Sequence, residues 1–308
     1  MSNKRIISLL PAATEIICAL ASEALLVGVS HECDFPSSVQ HLPKCSSSSI
    51  SNDKSSQEID QMVSEQLLAG LSLYQLSWEL IKELRPDIII TQDQCKVCAI
   101  HLDDLTLQVQ KELNYPVQII SINPRSVEDI FAAIETIAAT IEQTVLAQEL
   151  IETYQDRLAI IAHKVKFVKN RPTVVFIEWL APLMTSGHWT PSLINLAGGN
   201  SMLSTDQSDA GKIDFADLLN ADPDFIIIAP CGFSIPRIKS EMHLLQNSEH
   251  WQSLKAVKEN RIFIADGNAF FSRPGPRIID SAEIVAEILQ VNQFYFGLEG
   301  SAWEWLNA

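Results

Sequence analysis

Four short runs concentrate the side chains that could do chemistry. They are His31-Glu32-Cys33-Asp34, Cys95-Lys-Val-Cys98, the stretch from Trp179 to His188-Trp189, and Asp266-Gly-Asn-Ala-Phe-Phe-Ser-Arg273. A Cys-x-x-Cys pair can act as a redox couple, as half of a zinc site, or as two plain loop thiols. A full metal site needs further ligands, which His31, Cys33 or His101 would supply. The chain has no second Cys-x-x-Cys, which argues against a structural zinc ribbon. His31 and Glu32 serve either a ligand or simple loop capping. Trp179, Trp189, Phe233, Phe270 and Phe271 offer flat apolar faces, with His188 beside Trp189. Arg273 is expected to bond a polar arm of a ligand, whereas Arg277 is expected only to set the start of a helix. Cys18 is expected in the core, while His163, His243 and His250 are expected on the surface. Trp303 and Trp305 lie in a terminal tail with no function assigned.

Alternating elements position these runs. Apolar runs predict strands over 5–10, 26–30, 87–91, 117–122, 173–178, 225–229 and 261–265. Helical spacing predicts helices over 12–21, 58–69, 74–84, 214–219 and 281–290, and the Ser-rich stretch 46–56 is expected as a loop. Residues 126–170 contain neither Pro nor Gly, and apolar residues recur there at helical spacing. One helix over that span would run about 65 Å at 1.5 Å per residue, longer than a domain. Two helices are therefore expected, with a break near Gln143–Thr144 and the second reaching about residue 169. The fold class is α/β: two lobes with mainly parallel sheets joined by one long backbone helix. The lobes span 1–125 and 171–308, with a helical linker over 126–170. Ligands of open parallel sheets bind beyond the carboxyl ends of the strands, and all four runs fall there.

With 308 residues, the chain is long enough for two such lobes. Its net charge of −16 argues against nucleic acid and anionic membrane as partners. Only about five apolar residues follow Lys4 and Arg5 before Pro11, too few for a secretory signal. No run approaches the roughly 20 apolar residues of a membrane helix. The expectation is a cytoplasmic monomer whose six cysteines are mostly thiols.

Several ordered motifs carry a resemblance. They are Ser8-Leu-Leu-Pro-Ala-Ala-Thr-Glu15, Val27-Gly-Val-Ser30, Cys33-Asp-Phe-Pro36, Arg85-Pro-Asp-Ile-Ile-Ile90, Thr185-Ser-Gly187, Ala197-Gly-Gly-Asn200 and Arg273-Pro-Gly-Pro-Arg277. The chain resembles the helical-backbone (class III) substrate-binding proteins of ABC transporters over about residues 4–290, and within them the vitamin B12-binding branch. The resemblance implies a ligand cleft between two lobes and little cleft motion. It also implies a small-molecule ligand held by aromatic faces, here cobalamin, another corrinoid or a related tetrapyrrole.

The sequence departs from that pattern in two places. Where the B12 binders carry aromatic cleft residues, this chain has His31-Glu32-Cys33-Asp34 and Gln92-Asp93-Gln94-Cys95. Where permease-docking members carry a glutamate in the second lobe, it has Ala216 in Ile213-Asp-Phe-Ala-Asp217, although Glu79 fills the matching place in the first. The expectation is therefore a non-catalytic binder with no membrane permease as partner. The alternatives are a metal-ion or haem carrier or sensor using His31, Cys33, Cys95 and Cys98, and a tetrapyrrole-metabolism enzyme such as a chelatase. No nucleophile elbow, P-loop or dinucleotide glycine fingerprint favours catalysis.

Overall fold

The computed structural model describes residues 4–69, 71–92 and 102–306. The chain divides into two compact units. One comprises Met1–Lys54, Glu58–Pro124 and Glu128–Glu152; the other comprises Ser55–Gln57, Arg125–Val127 and Thr153–Ala308.

The first unit runs β1 (Ile6–Ser8), α1 (Pro11–Ala19), β2 (Leu26–Val29), β3 (Ser46–Ser48), α2 (Ser56–Leu68), β4 (Tyr74–Leu76), α3 (Trp78–Leu84), β5 (Ile88–Gln92), α4 (Leu102–Glu112), β6 (Gln118–Ile122) and α5 (Val127–Ile141). Its main sheet has the order β2-β1-β5-β6 and is parallel throughout, with Ile6, Ile7 and Ser8 opposite Ile88, Ile89 and Ile90. Isoleucines occupy both faces because helices cover both. On one side Ile7 and Ile89 pack with Cys45, Ile81, Leu105 and Val109. Gly28 sits within this packing because a Cβ there would come 2.5 Å from Cys45 Sγ.

Three expectations fail in this unit, two of them on its elements. Residues 46–48 form a strand, and the expected helix over 74–84 is a strand followed by the shorter α3. Ser46 pairs with Leu76, Ser47 with Gln75 and Ser48 with Tyr74 in an antiparallel ladder. Three-residue strands carry too little alternation to register as a period, whereas the ladder satisfies backbone groups that a loop would leave to water. α3 ends at Arg85, left-handed at φ 44°, just before Pro86. Cys18, expected in the core, is only partly buried. Burial, with Glu23 and Glu15 nearby, pushes its thiol up to about 12.

α6 (Thr144–Val165) follows α5 after a break at Glu142, which turns left-handed at φ 62°. The break falls beside Gln143–Thr144, where it is expected. α6 stops four residues short of the expected end. It crosses the division between the units, which lies at residues 152 and 153.

The second unit continues β7 (Thr173–Trp179), β8 (Met184–Thr185), α7 (Thr190–Leu196), β9 (Asn200–Ser201), β10 (Gly211–Lys212), α8 (Phe215–Ala221), β11 (Phe225–Ile228), α9 (Ile235–Glu241), α10 (His243–Gln246), α11 (Glu249–Ser253), α12 (Lys255–Lys258), β12 (Ile262–Ala265), α13 (Ile278–Leu289) and β13 (Trp303–Trp305). Its sheet has the order β10-β8-β7-β11-β12-β13, with β9 on β7. β7, β11 and β12 are parallel, and β13 closes the β12 edge antiparallel. Trp303 and Trp305 are therefore a strand rather than a tail.

α13 is buried from Ser281 through Leu289, so its two acidic residues there need partners. Glu283 and Asp280 take Arg157 of α6, at 2.7 and 2.6 Å. Glu287 accepts the backbone N–H groups of Phe296, Gly297 and Leu298 and the indole N–H of Trp303. Among the described residues, no helix is long and apolar enough to cross a membrane.

Candidate functional site

In the first unit the site residues follow the carboxyl end of β2. Ser30 donates its backbone N–H to Ser8 of β1, so the loop starts from a fixed point. His31 then meets the β3–β4 ladder. Its Nδ1 lies 2.8 Å from Ser46 Oγ, its backbone N–H donates to the same oxygen, and its ring tilts against Tyr74 at 5.6 Å. Nε2 is 3.2 Å from Glu32 Oε1, within ion-pair range but not aligned as a hydrogen bond. Cys33 is buried, 1% exposed, with Sγ 3.1 Å from Thr14 Oγ1 and 3.5 Å from Ser30 Oγ. Burial pushes its thiol up, so it stays protonated at neutral pH and is a poor metal ligand in this state. Asp34 is exposed.

Cys95, Cys98 and His101 lie outside the described residues. Among the described residues, no three His, Cys, Asp or Glu side chains gather as a metal site, so His31 and Cys33 are not brought into one there.

In the second unit, three adjacent parallel strands deliver the site. β7 ends on Trp179, whose indole N–H donates to the Ala181 carbonyl at 3.0 Å and holds the half-buried ring in place. Beyond β11, Phe233 tilts against Trp179 at 5.2 Å. The Arg237 guanidinium covers Phe233 at 4.5 Å and is steadied by Glu241 at 2.8 Å. Beyond β12, Gly267 and Asn268 donate backbone N–H groups to the Phe233 carbonyl, which ties two loops together. Only glycine fits at 267, because a Cβ there would overlap the Pro230 carbonyl.

Gly267–Phe271 then forms a single π-turn, started by the Asp266 carboxylate accepting the Ala269 N–H at 2.7 Å. Such turns recur at functional sites. Phe270 is half-buried under Arg277 at 5.8 Å, whereas Phe271 is buried against Phe176 at 4.9 Å. Arg273 is 5% exposed and donates to Asn268 Oδ1 at 2.9 Å.

His188 and Trp189 stack at 5.6 Å and 28°. Trp189 is 5% exposed and donates its indole N–H to the Phe271 carbonyl. His188 is left-handed, φ 52°, and exchanges backbone hydrogen bonds with Ser208 and Gln207. Gly187 permits that approach, since a Cβ would overlap the Ser208 carbonyl. Burial pulls the His188 imidazole below its ordinary value; Arg125 adds to this, and Asp209, 3.9 Å away, opposes it.

The structure thus presents the half-buried rings of Trp179 and Phe270, near the buried Arg273, at the carboxyl ends of the strands of the second sheet. It packs Trp189, Phe271 and Phe233 underneath, each 5% exposed, so the face expected of Phe233 is covered by Trp179 and Arg237. It places His31, Glu32 and Cys33 at the matching edge of the first sheet. Sequence reasoning missed Ser46 and Tyr74, which hold His31, and Asn268 and Arg237, which orient Arg273 and Phe233. Asn268 had one usable signal: an amide inside the same Gly-to-Arg run. The arrangement can grip a flat apolar molecule and bond its polar arms.

Residues 6–269 match the sequence profile described as periplasmic binding protein. The chain belongs to the periplasmic binding protein family. It is 22% identical over 297 residues to a vitamin B12-binding protein of Vibrio cholerae, covering 94% of this chain and 90% of that one. It is 23% identical over 298 residues to an uncharacterized ABC transporter substrate-binding lipoprotein of Bacillus subtilis, covering 94% and 81%. Its fold matches that of a periplasmic heme binding protein from Pseudomonas aeruginosa at a TM-score of 0.71, with 18% identity over 94% of each chain. These family members are named as binding proteins, not as enzymes. The likeness to a transporter substrate-binding protein also stands against the expectation that no permease partner exists. The capping box of α8 shows where the acidic residues beside Ala216 go: Asp214 and Asp217 each accept the other's backbone N–H.

Proposed function

We propose that the chain is a non-catalytic receptor for a large planar metal-chelate, a corrinoid such as cobalamin or a haem-type tetrapyrrole. The observation that carries this reading is the pair of half-buried rings of Trp179, backed by Phe233, and Phe270, near the Arg273–Asn268 pair. Flat rings presented from two neighbouring loops suit a macrocycle face, and a guanidinium held by an amide suits its carboxylate or amide arms. The B12-binding relative from Vibrio cholerae and the fold shared with a heme binder support the same ligand class.

Titration with cobalamin, cobinamide and hemin, followed by visible absorption, tests the reading. Saturable binding of one of the three at micromolar concentration or tighter is expected. No saturable binding of any would overturn it. Whether the receptor loads a permease from outside the cytoplasmic membrane or carries its ligand within the cytoplasm is decided by fractionating the native cells. Co-isolation with a permease supports the first role, as the Bacillus subtilis relative's name suggests.

A further inference from the structure

The second unit has a recess at the opposite edge of its sheet, where the parallel strands begin rather than end. It is an open recess of about 540 Å³, within the roughly 300–1,000 Å³ of small-molecule sites. Arg171 precedes β7, Phe225 opens β11, Arg261 precedes β12, and the Trp305 end of β13 lies beside them. Two guanidiniums line it in a chain of net charge −16. Arg171 donates to the Asn195 carbonyl, and Arg261 pairs with Glu259 at 2.9 Å while its guanidinium lies 5.4 Å from the centre of the Phe225 ring. Each guanidinium carries five N–H donors, so both keep donors for a ligand. The acid in the lining, Asp224, is already matched by Lys255 at 2.5 Å and by two hydrogen bonds from Thr173. The walls are aromatic and aliphatic, with Trp305 40% and Val291 51% exposed.

We propose that this recess is a second binding site, for a planar aromatic anion: a ring that lies against Trp305 and carries a carboxylate, sulfonate or phosphate toward Arg171 and Arg261. Arginine forks match such oxyanions in a way that a lone ammonium does not, and the apolar walls require the ring. The site is independent of the macrocycle face, which lies at the other ends of the same strands.

The probe is 8-anilinonaphthalene-1-sulfonate, with uncharged N-phenyl-1-naphthylamine as its control. The full chain is titrated while the Trp305 indole N–H resonance, assigned with Trp305→Phe, is followed by NMR. The expected result is a saturable shift of that resonance by the sulfonate. In the Arg171→Gln/Arg261→Gln double variant, binding weakens at least tenfold while the thermal midpoint stays close to that of the parent. An unmoved Trp305 resonance overturns the proposal. So does affinity within twofold of the parent in the double variant, or equal shifts by the uncharged control. If the double variant fails to fold, the salt dependence of the parent's binding decides: affinity insensitive to salt overturns the proposal, and a steep fall supports it.

Discussion

At the scale of single residues, burial separates two tryptophans that look alike in the sequence. Trp179 presents a half-buried ring, so Trp179→Ala should weaken macrocycle binding about tenfold, the effect of roughly 1.4 kcal/mol of lost stacking and burial; titration of the variant reads it directly. Trp189 is sealed under the Phe271 carbonyl. Trp189→Ala should instead cost about 3–5 kcal/mol of stability through the cavity it leaves, measured by urea unfolding. Residue types were legible in the sequence, but burial was not, because the sealing of Cys33 and Trp189 depends on contacts such as Thr14 and Phe271. His188 adds a pH effect. Its folded-state affinity for a proton is depressed, so the stability it contributes is full above the ordinary imidazole value and falls as pH drops through that value toward the folded one. His188→Asn tolerates the left-handed backbone and removes the titration. Between pH 7.5 and 5 the parent should therefore lose more stability than the variant, and equal losses in denaturant midpoint would rule this out.

At the scale of elements, long periodic segments were readable and short ones were not. The break between α5 and α6 was legible because one helix over residues 126–170 would be longer than a domain. The β3–β4 ladder was invisible, since its Ser46–Ser48 strand carries only hydroxyls. That ladder matters to the site because Ser46 and Tyr74 hold His31. The α6–α13 junction gives a sharper test. Arg157 joins Asp280 and Glu283 with about a third of its side chain exposed. Arg157→Met should cost about 2 kcal/mol, below the roughly 3–5 kcal/mol of a fully buried broken pair because water screens part of the loss. Loss of stability in the same variant carrying Glu283→Gln should be smaller than the sum of the two single changes.

At the scale of the whole molecule, the alternation of apolar runs and helical spacing was enough for the α/β class and for two sheet-centred units. Neither the closing strand β13 nor its anchor could be inferred, because Glu287 and the segment it holds are matched only in space. Glu287→Ala would take the acceptor from three partly buried backbone donors and from the buried Trp303 indole N–H, at a cost of about 1–3 kcal/mol. Hydrogen exchange should show residues 296–305 losing protection before the rest of the second unit. The same anchor guards the sheet against its neighbours. Where Glu287 loses its hold, β13 can lift from β12 and leave that edge with unpaired backbone groups. Glu287→Ala should therefore lower soluble yield more than its loss of stability alone would, because an unpaired edge invites neighbouring chains to add to it.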